Sequence, residues 1–367
     1  MQSDFHYYCI GVLARAAGFN RDDALTIAYA SQYTDDSTES ELIRLELDEG
    51  RLRFDPVRTS YAGLETINSL TWSAQKRVWI PFHFLPPKPF KPEESQTFSF
   101  ITRPNSAFGQ MLLAEAAEEP LENHHRRLCR IGVAVHTYAD SWAHQDFSGR
   151  ESRQENDVES IYLRNRTTNH WQKLFIENLI FDALPFIGHG EAGYFPDLAF
   201  QEWKCVVGGE RQVGRDNIET FAEAARMIYD QLRPLDKTDS EPPIPWDEIE
   251  PKIRMLLASK DRDPRGVERY TLPAYRAYQE AMMDRRCDRW REEFGYLFEP
   301  KPDKYYYDKE AWRRNAVEGD TGWDEYSEAE WSLMLPREVK RGFWDSLWVH
   351  FHRAALRQRH LVLENLP

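Results

Sequence analysis

Cysteine is scarce in this sequence, and long apolar runs are absent from it. Its four cysteines are widely spaced and form no Cys-x-x-Cys motif, which is typical of a reducing compartment. Cys9 and Cys129 lie in apolar helical patterns, where we predict buried free thiols. No stretch of about 18 apolar residues occurs, and no basic signal segment precedes the first apolar run. We therefore predict a cytoplasmic protein without integral membrane association.

The signature motifs of several enzyme classes are also missing. The sequence has no glycine-rich phosphate loop, no Gly-x-Ser-x-Gly elbow, no His-Glu-x-x-His motif and no His-Asp dipeptide. These absences argue against P-loop nucleotide binding, a serine hydrolase, a zincin protease and a phosphohydrolase of the His-Asp type. A di-iron bundle needs two Glu-x-x-His motifs, and only Glu122 to His125 offers one. The net charge of -14 argues against broad nucleic-acid coating, although bound cations would still admit an anionic substrate.

The apolar periodicity predicts an all-α fold, a multi-helix bundle with a helical carboxyl-terminal extension. Asn20 is expected to cap a helix together with Asp23, and Gly18 to end the helix before it. Residues 39–58 look like a short hairpin or an irregular excursion, and residues 81–104 like a long proline-rich loop. Helices are predicted near 5–17, 20–35, 62–78, 107–118, 121–147, 158–184, 217–232, 248–259, 272–294, 308–316 and 337–363.

A stripe of candidate metal ligands runs along one predicted helix. His136, Asp140 and His144 are four residues apart, and each such step advances about 400° on an α-helix, so the side chains stay within roughly 80° of one another. Neutral imidazole and carboxylate are ligands that zinc accepts, and the two oxygens of Asp140 would suit a bridge between ions. The alternative is a salt-bridged helix with two incidental histidines.

Three further histidines and two adjacent acids extend this set. His6, His83 and His189 have apolar or glycine neighbours, which predicts buried positions that need a partner. A metal is one such partner, and a hydrogen bond within a core or turn is the alternative. Asp35 and Asp36 end the second helix, where negative charge opposes the helix dipole unless a cation is near. A solvated loop is the alternative for these two acids.

The order of these residues resembles the zinc-dependent phospholipase C and single-strand-specific zinc nuclease superfamily. The resemblance covers roughly residues 1–200 and lies in His6, Tyr33-Thr34-Asp35, His83 and the pair His136 and Asp140. It implies an all-α domain with a three-zinc cluster, in which Asp140 bridges and His144 and His189 are further ligands. The stretch from Asp4 to Asp36 also resembles a bacterial family that has not been characterised.

Three departures from the superfamily pattern leave other ligands open. The histidine after the bridging aspartate comes early, and Asp146 stands where the superfamily usually has it. Glu191 or Asp197 would have to close the ligand set. The superfamily often uses the free amino group of its mature terminus, but this chain opens with Met-Gln and no cleavage signal, so Asp4 is the substitute we consider.

We predict a metal-dependent hydrolase, most simply a phosphoesterase, that acts on a lipid, a nucleic acid or a small molecule. It would hold two or three divalent ions, with zinc expected, through His6, Asp35, Asp36, His83, His136, Asp140, His144 and His189. Asp35 or Asp36 would also orient and deprotonate a water molecule. The alternatives are a metal-stabilised helical interaction module and an enzyme for another ester or amide.

The domain organisation is predicted from proline content. Residues 1–233 would form the metal-binding domain, because all the candidate ligands lie there. Residues 234–251 are rich in proline and predict a linker. Residues 252–367 predict a helical extension whose Trp and Arg content suits self-association or a protein partner.

Overall fold

The computed structural model describes residues 1–38, 43–47, 50–61, 71–173, 186–260, 272–300, 302–317, 337–338 and 342–367. Its α-helices are Ile10–Ala16 (α1), Arg21–Asp36 (α2), Trp72–Ala74 (α3), Ile80–Phe82 (α4), Ala107–Ala117 (α5), His124–Ala143 (α6), Arg153–Asn156 (α7), Asn217–Leu232 (α8), Trp246–Ala258 (α9), Leu272–Phe294 (α10), Ala311–Ala316 (α11) and Leu347–Glu364 (α12). The π-helical turns are Asp4–Cys9 and Gln75–Trp79, and the 3-10 turns are Pro92–Glu94, Leu121–Asn123, Gly190–Ala192, Phe195–Asp197, Gly295–Phe298, Pro302–Lys304 and Phe343–Asp345. Among the described residues, no helix combines the length and the apolar character needed to cross a bilayer.

The prediction of an all-α fold is wrong, because the chain also forms two sheets. The strands are Ile43–Leu47 (β1), Gly50–Phe54 (β2), Val158–Asn165 (β3), His170–Lys173 (β4), Glu202–Val207 (β5), Arg211–Asp216 (β6) and Arg337–Glu338 (β7). An antiparallel four-stranded sheet has the order β4-β3-β5-β6, and a second sheet has the order β2-β1-β7. The fold is therefore mixed, with helices predominating.

The predicted helix at 158–184 is the largest error, since its described part forms β3 and β4. The side chain of Asn165 accepts hydrogen bonds from the backbone N–H groups of Thr167 and Thr168 at 2.9 and 3.0 Å, which favours a turn over a continuing helix. The neighbouring strand β5 buries Trp203 and Cys205 with two-residue spacing, as expected of a strand with one covered face. Residues 174–184 of the predicted helix lie outside the described residues.

Several local predictions are confirmed. The side chain of Asn20 accepts a hydrogen bond from the N–H of Asp23 at 3.0 Å and caps α2, and Gly18 follows α1 with a φ of 98°. Cys9 and Cys129 are buried and free. The segment predicted as a hairpin contains the antiparallel pair β1 and β2.

Parts of other predictions cannot be compared. Residues 39–42 and 48–49 of the hairpin, 62–70 of the predicted helix at 62–78, and 339–341 of the last predicted helix lie outside the described residues.

Helix α6 lies at the centre of the fold. Its apolar side chains Ile131, Val135, Tyr138 and Trp142 are fully buried, and the helix packs against α2, α5, α8 and α12. The same apolar cluster includes side chains from the amino-terminal turn and, beyond residue 252, from α10 and α12. Because neighbours hold the apolar side of α6, its polar stripe has a fixed direction.

The contact between α2 and α6 depends on Gly132. A Cβ atom at this position would lie 2.5 Å from Cβ of Ala30 and 2.5 Å from the carbonyl oxygen of Ile27. We expect Gly132→Ala to lower the free energy of unfolding by about 1–3 kcal/mol, as overpacking does, in a urea titration. Gly11→Ala is the matched control, since its nearest neighbour would be a side-chain atom at 3.3 Å. Equal stability of both variants would contradict this account of the helix contact.

Candidate metal centre

Helix α6 forms the centre of the candidate site. His136 and Asp140 lie one turn apart and are completely buried, and His144 stands at the end of the helix with 5% exposure. The turn Asp4–Cys9 places His6 beside them, with its ring stacked on that of His136 at a centroid distance of 4.0 Å. The predicted stripe on α6 therefore meets a histidine that precedes it by 130 residues in the sequence.

The remaining candidate ligands come from the ends of shorter elements. Asp35 lies in the last turn of α2, His83 follows α4, and His189 precedes the turn Gly190–Ala192. The donor atoms fall into three groups, within each of which they lie no more than 4.8 Å apart: His6, His136 and Asp140; Asp35, His83 and His136; and His144, His189 and Asp197. The structure thus brings together every predicted ligand except Asp36 and adds Asp197.

The two carboxylate oxygens of Asp140 face different donors. Oδ1 lies 3.0 Å from Nε2 of His6 and 2.6 Å from the amino nitrogen of Met1. Oδ2 has three imidazole nitrogens within 3.5 Å, those of His83, His136 and His144. Burial alone would raise the pKa of Asp140, but the imidazoles around it, that of His144 first, and the Met1 amine outweigh burial and hold this pKa well below its usual range. This division of contacts suits a carboxylate that bridges two cations.

Backbone carbonyls fix the position of the hydrogen on three of the imidazoles. His83 donates from Nε2 to the carbonyl of Thr59 at 2.9 Å, and His144 donates from Nδ1 to the carbonyl of His83 at 2.8 Å. His189 donates from Nδ1 to the carbonyl of Gly193 at 3.0 Å. A carbonyl only accepts, so the other nitrogen of each neutral ring carries a lone pair that faces the cluster.

Two of these lone pairs point at the carboxylate of Asp197. Its oxygens lie 3.2 Å from Nε2 of His144 and 3.4 Å from Nε2 of His189. Two acceptors at such distances repel each other unless a proton or a metal ion lies between them. Burial lowers the pKa of His189 to about 4, so at neutral pH this ring is unprotonated, and a metal ion suits the place.

The other histidines differ in their affinity for protons. Burial lowers the pKa of His6 to about 4, with the neighbouring amino group acting in the same direction. Burial also acts to lower the pKa of His83, but its hydrogen bond to Asp140 and the charge of Asp35 outweigh burial and raise it. A proton on His83 would therefore compete with a metal ion, which makes metal affinity fall as the pH falls.

The contact considered for Asp4 is made by the amino terminus instead, and of the two acids left open, Glu191 and Asp197, it is Asp197 that joins a donor group. The amino nitrogen of Met1 lies 2.6 Å from Asp140 and 3.2 Å from Asp197, and Met1 is 4% exposed. Burial acts to lower the pKa of this amine, but the carboxylates of Asp140, Asp197 and Asp35 outweigh it and raise the pKa to about 11. An isolated acid such as Asp197 has no periodic signal in the sequence, and only its contacts in the fold mark it.

Asp36 borders the site without facing its donors. Its Oδ2 accepts hydrogen bonds from Nε2 of Gln32 at 3.0 Å and from the hydroxyl of Tyr307 at 2.7 Å. Burial raises the pKa of Asp36, although both hydrogen bonds act to lower it. Of the two adjacent acids, Asp35 is therefore the one that the structure places among the imidazoles.

Three other acids considered as ligands have different partners. Asp4 forms a buried ion pair with Arg286. Asp146 forms ion pairs with three arginines, and Glu191 accepts a hydrogen bond from the backbone N–H of Val158 at 2.7 Å. None of the three belongs to a donor group among the described residues.

A cavity of about 590 Å³ opens beside the donors. The side chain of Asp35 is 30% exposed and borders it. The cavity is further lined by His83, His144, His189, Asp197, Asp36, Trp79, Phe84, Tyr194 and Tyr307, among others. Its volume falls in the range of roughly 300–1,000 Å³ that is typical of small-molecule sites.

One family model matches nearly the whole sequence. It covers residues 1–366 and is described as a family of unknown function, DUF6765. The chain belongs to this family. No curated protein and no solved structure matches this chain. The resemblance to zinc-dependent phospholipase C and nucleases therefore stays a prediction.

The donor set of this DUF6765 chain fits zinc. Zinc bonds to nitrogen and oxygen are about 2.0–2.2 Å long, so two ligands of one tetrahedral ion lie roughly 3.3–3.6 Å apart. The oxygens of Asp197 lie 3.2 and 3.4 Å from their two imidazoles, which is within or just below this range, whereas the 3.0 Å between His6 and Asp140 is shorter. His136 belongs to two groups, but its Nε2 can bind only one ion. Imidazole and carboxylate without thiolate are a donor set that zinc accepts.

Proposed function

We propose that this protein is a metal-dependent phosphoesterase that holds two or three zinc ions in this cluster. The observation that carries the proposal is the set of His and Asp donors, spaced for shared ions, beside an open cavity. Structural zinc sites are closed by four protein ligands, whereas catalytic sites keep a position for water or substrate. The partial exposure of Asp35 supports a catalytic site.

The contacts indicate which residues would hold the ions. His144, His189 and Asp197 would form one site. His6 and the amine of Met1 face Oδ1 of Asp140, and His83 faces Oδ2. Asp140 would therefore join the sites, and its loss would affect more than one of them.

The chemistry of phosphoester hydrolysis can be assigned to the same residues. Bound divalent ions would polarise a phosphoryl oxygen and lower the pKa of water towards neutrality. Asp35 both reaches the imidazoles and borders the cavity, so its carboxylate would orient the attacking water and accept its proton. Trp79, Phe84 and Tyr194 offer flat surfaces for the part of the substrate that is not phosphate.

The charge of the cavity supports a role for the ions in substrate binding. Among the described residues that line it, none is a lysine or an arginine, and three are aspartates. This lining offers an anionic phosphoester no guanidinium and no lysine ammonium, and the Met1 amine beside it is already paired with Asp140 and Asp197. Two or three divalent ions would reverse the local charge, so binding of a phosphoester should require metal.

A panel of chromogenic substrates tests this proposal. We expect zinc-loaded protein to hydrolyse phosphodiesters or phosphomonoesters and to lose this activity with a chelator. Readdition of zinc is expected to restore the rate. Hydrolysis of carboxyl esters alone would move the proposal to another ester class. Bound zinc without hydrolysis of any ester would favour a metal-stabilised interaction module, in which chelation unfolds the protein.

A further inference from the structure

The amino-terminal turn is held by a charged pair that lies outside the donor groups. Asp4 and Arg286 are each 1% exposed. Nε of Arg286 donates to Oδ2 of Asp4 at 2.8 Å, and Nη2 lies 2.6 Å from the same oxygen. Arg286 also donates to the carbonyl of Ser259, between α9 and α10. The pair therefore ties the first residues of the chain to its carboxyl-terminal region.

The position of this pair relates it directly to the site. Asp4 stands two residues before His6 and three after Met1. The imidazole of His6 and the amine of Met1 both face Oδ1 of Asp140. Further along the turn, the hydroxyl of Tyr305 donates to the carbonyl of Tyr8 at 2.6 Å. The carboxyl-terminal region thus contacts the turn on both sides of His6.

The energetics of buried ion pairs indicate that the main effect of this pair is to fix the geometry of the turn, and that its contribution to stability is smaller. Removing two charges from water is costly, and replacing a buried pair with apolar residues of similar volume is often neutral or stabilising. The directional hydrogen bonds of a guanidinium, in contrast, fix the geometry of its partner. An apolar pair would fill the same space without fixing the turn.

We propose that Arg286 is a positioning residue of the metal centre, which holds Asp4 and thereby sets the places of the Met1 amine and His6. The inference rests on the metal centre proposed above. It makes residues beyond 252 part of the site, because Arg286 and Tyr305 hold Asp4 and the backbone of Tyr8 in the turn that carries these donors. The groups on α6 and at His189 do not depend on this contact.

The test compares two variants that disturb the pair with one matched control. Arg286→Met leaves Asp4 buried without its partner and is expected to destabilise the fold. The double variant Asp4→Leu with Arg286→Met removes both charges, so it is expected to fold even where the single variant does not. Arg313→Met is the control, because Arg313 is also buried, at 4% exposure, but pairs with Glu310 on the carboxyl-terminal side. Thermal unfolding of all variants reports stability separately.

The first measurement is made without metal. The protein is treated briefly with a dilute acylating reagent, and modification of the Met1 amine is followed by mass spectrometry of the amino-terminal peptide. We expect the wild type and Arg313→Met to be protected, and both Arg286 variants to be labelled at least about tenfold faster, because loss of a buried pair frees its segment. The Met1 amine of the double variant should still be labelled faster than that of the wild type, even when the two proteins have the same Tm.

The second measurement is the zinc content of the same proteins after loading and dialysis. We expect the Arg286 variants to retain at least one ion fewer than the wild type, and Arg313→Met to retain the full number. A double variant that regains stability, amine protection and zinc would overturn the inference. Wild-type protein that binds no zinc would instead overturn the proposed function, whereas the labelling result, obtained without metal, would still decide whether Arg286 positions the amine.

Discussion

Asp140→Asn is expected to remove more than one metal ion from each chain. The carboxylate faces His6 and the Met1 amine with one oxygen and the imidazoles on its other side with the second. An amide offers one oxygen and no charge, so it cannot replace a bridge between two cations. Zinc per chain, measured after dialysis of loaded protein, should fall by at least two ions if three are bound, and nearly to zero if two are bound.

Two controls separate bridging from a general loss of affinity. His189→Asn should cost a single ion, because Asp197 is the one carboxylate of the described residues that His189 faces. Asp146→Asn should cost none, since Asp146 pairs with arginines. Unchanged metal content in Asp140→Asn would remove the bridging role. An equal loss in all three variants would point to unfolding, which the thermal transition would reveal.

Asp35→Asn is expected to lower the rate of phosphoester hydrolysis by roughly a hundredfold or more, the usual effect of losing a general base. Asp35 lies 3.6 Å from Nε2 of His136 and 3.7 Å from Nδ1 of His83, and it borders the cavity. The amide keeps an oxygen for the cluster but cannot accept a proton. The rate is therefore compared per bound zinc ion, so that weaker metal binding is not mistaken for loss of the base.

Asp36→Asn is the matched control for this effect. Asp36 accepts hydrogen bonds from Gln32 and Tyr307 and faces none of the imidazoles. We expect its variant to keep its metal and to lose no more than about tenfold in rate, the lower end of what changes around a metal site cost when the ligands themselves are kept. The reverse outcome, with full zinc and no hydrolysis in Asp36→Asn alone, would transfer the proton-accepting role to Asp36.

The stripe on α6 could be predicted because its geometry is local. Helical spacing alone places His136, Asp140 and His144 on one side, and the apolar residues between them identify the buried face. His6 and His83 were predicted from their order in a remote resemblance and from apolar neighbours. Asp197 could not be distinguished from Glu191 by spacing, because their difference arises in the fold, where Glu191 binds a backbone N–H.

The four-stranded sheet was missed because its strands have weak individual patterns. In β3 only Ile161 is buried, and the strand carries an irregular register between Glu159 and Tyr162, so no clean alternation appears. In β5 the buried residues do alternate, but the segment is short. The ion pair between Asp4 and Arg286 could not be predicted for another reason, because it joins residues that are 282 positions apart in the sequence.

The zinc content of the purified wild-type chain tests the central claim most directly. The protein is loaded with zinc, dialysed against metal-free buffer and analysed for zinc and protein together, with Asp140→Asn in parallel. We expect two to three ions per folded chain, matching the donor groups around Asp140 and Asp197, and a loss of more than one ion in the variant. Less than one ion in folded wild-type protein, or the same content in both proteins, would contradict it.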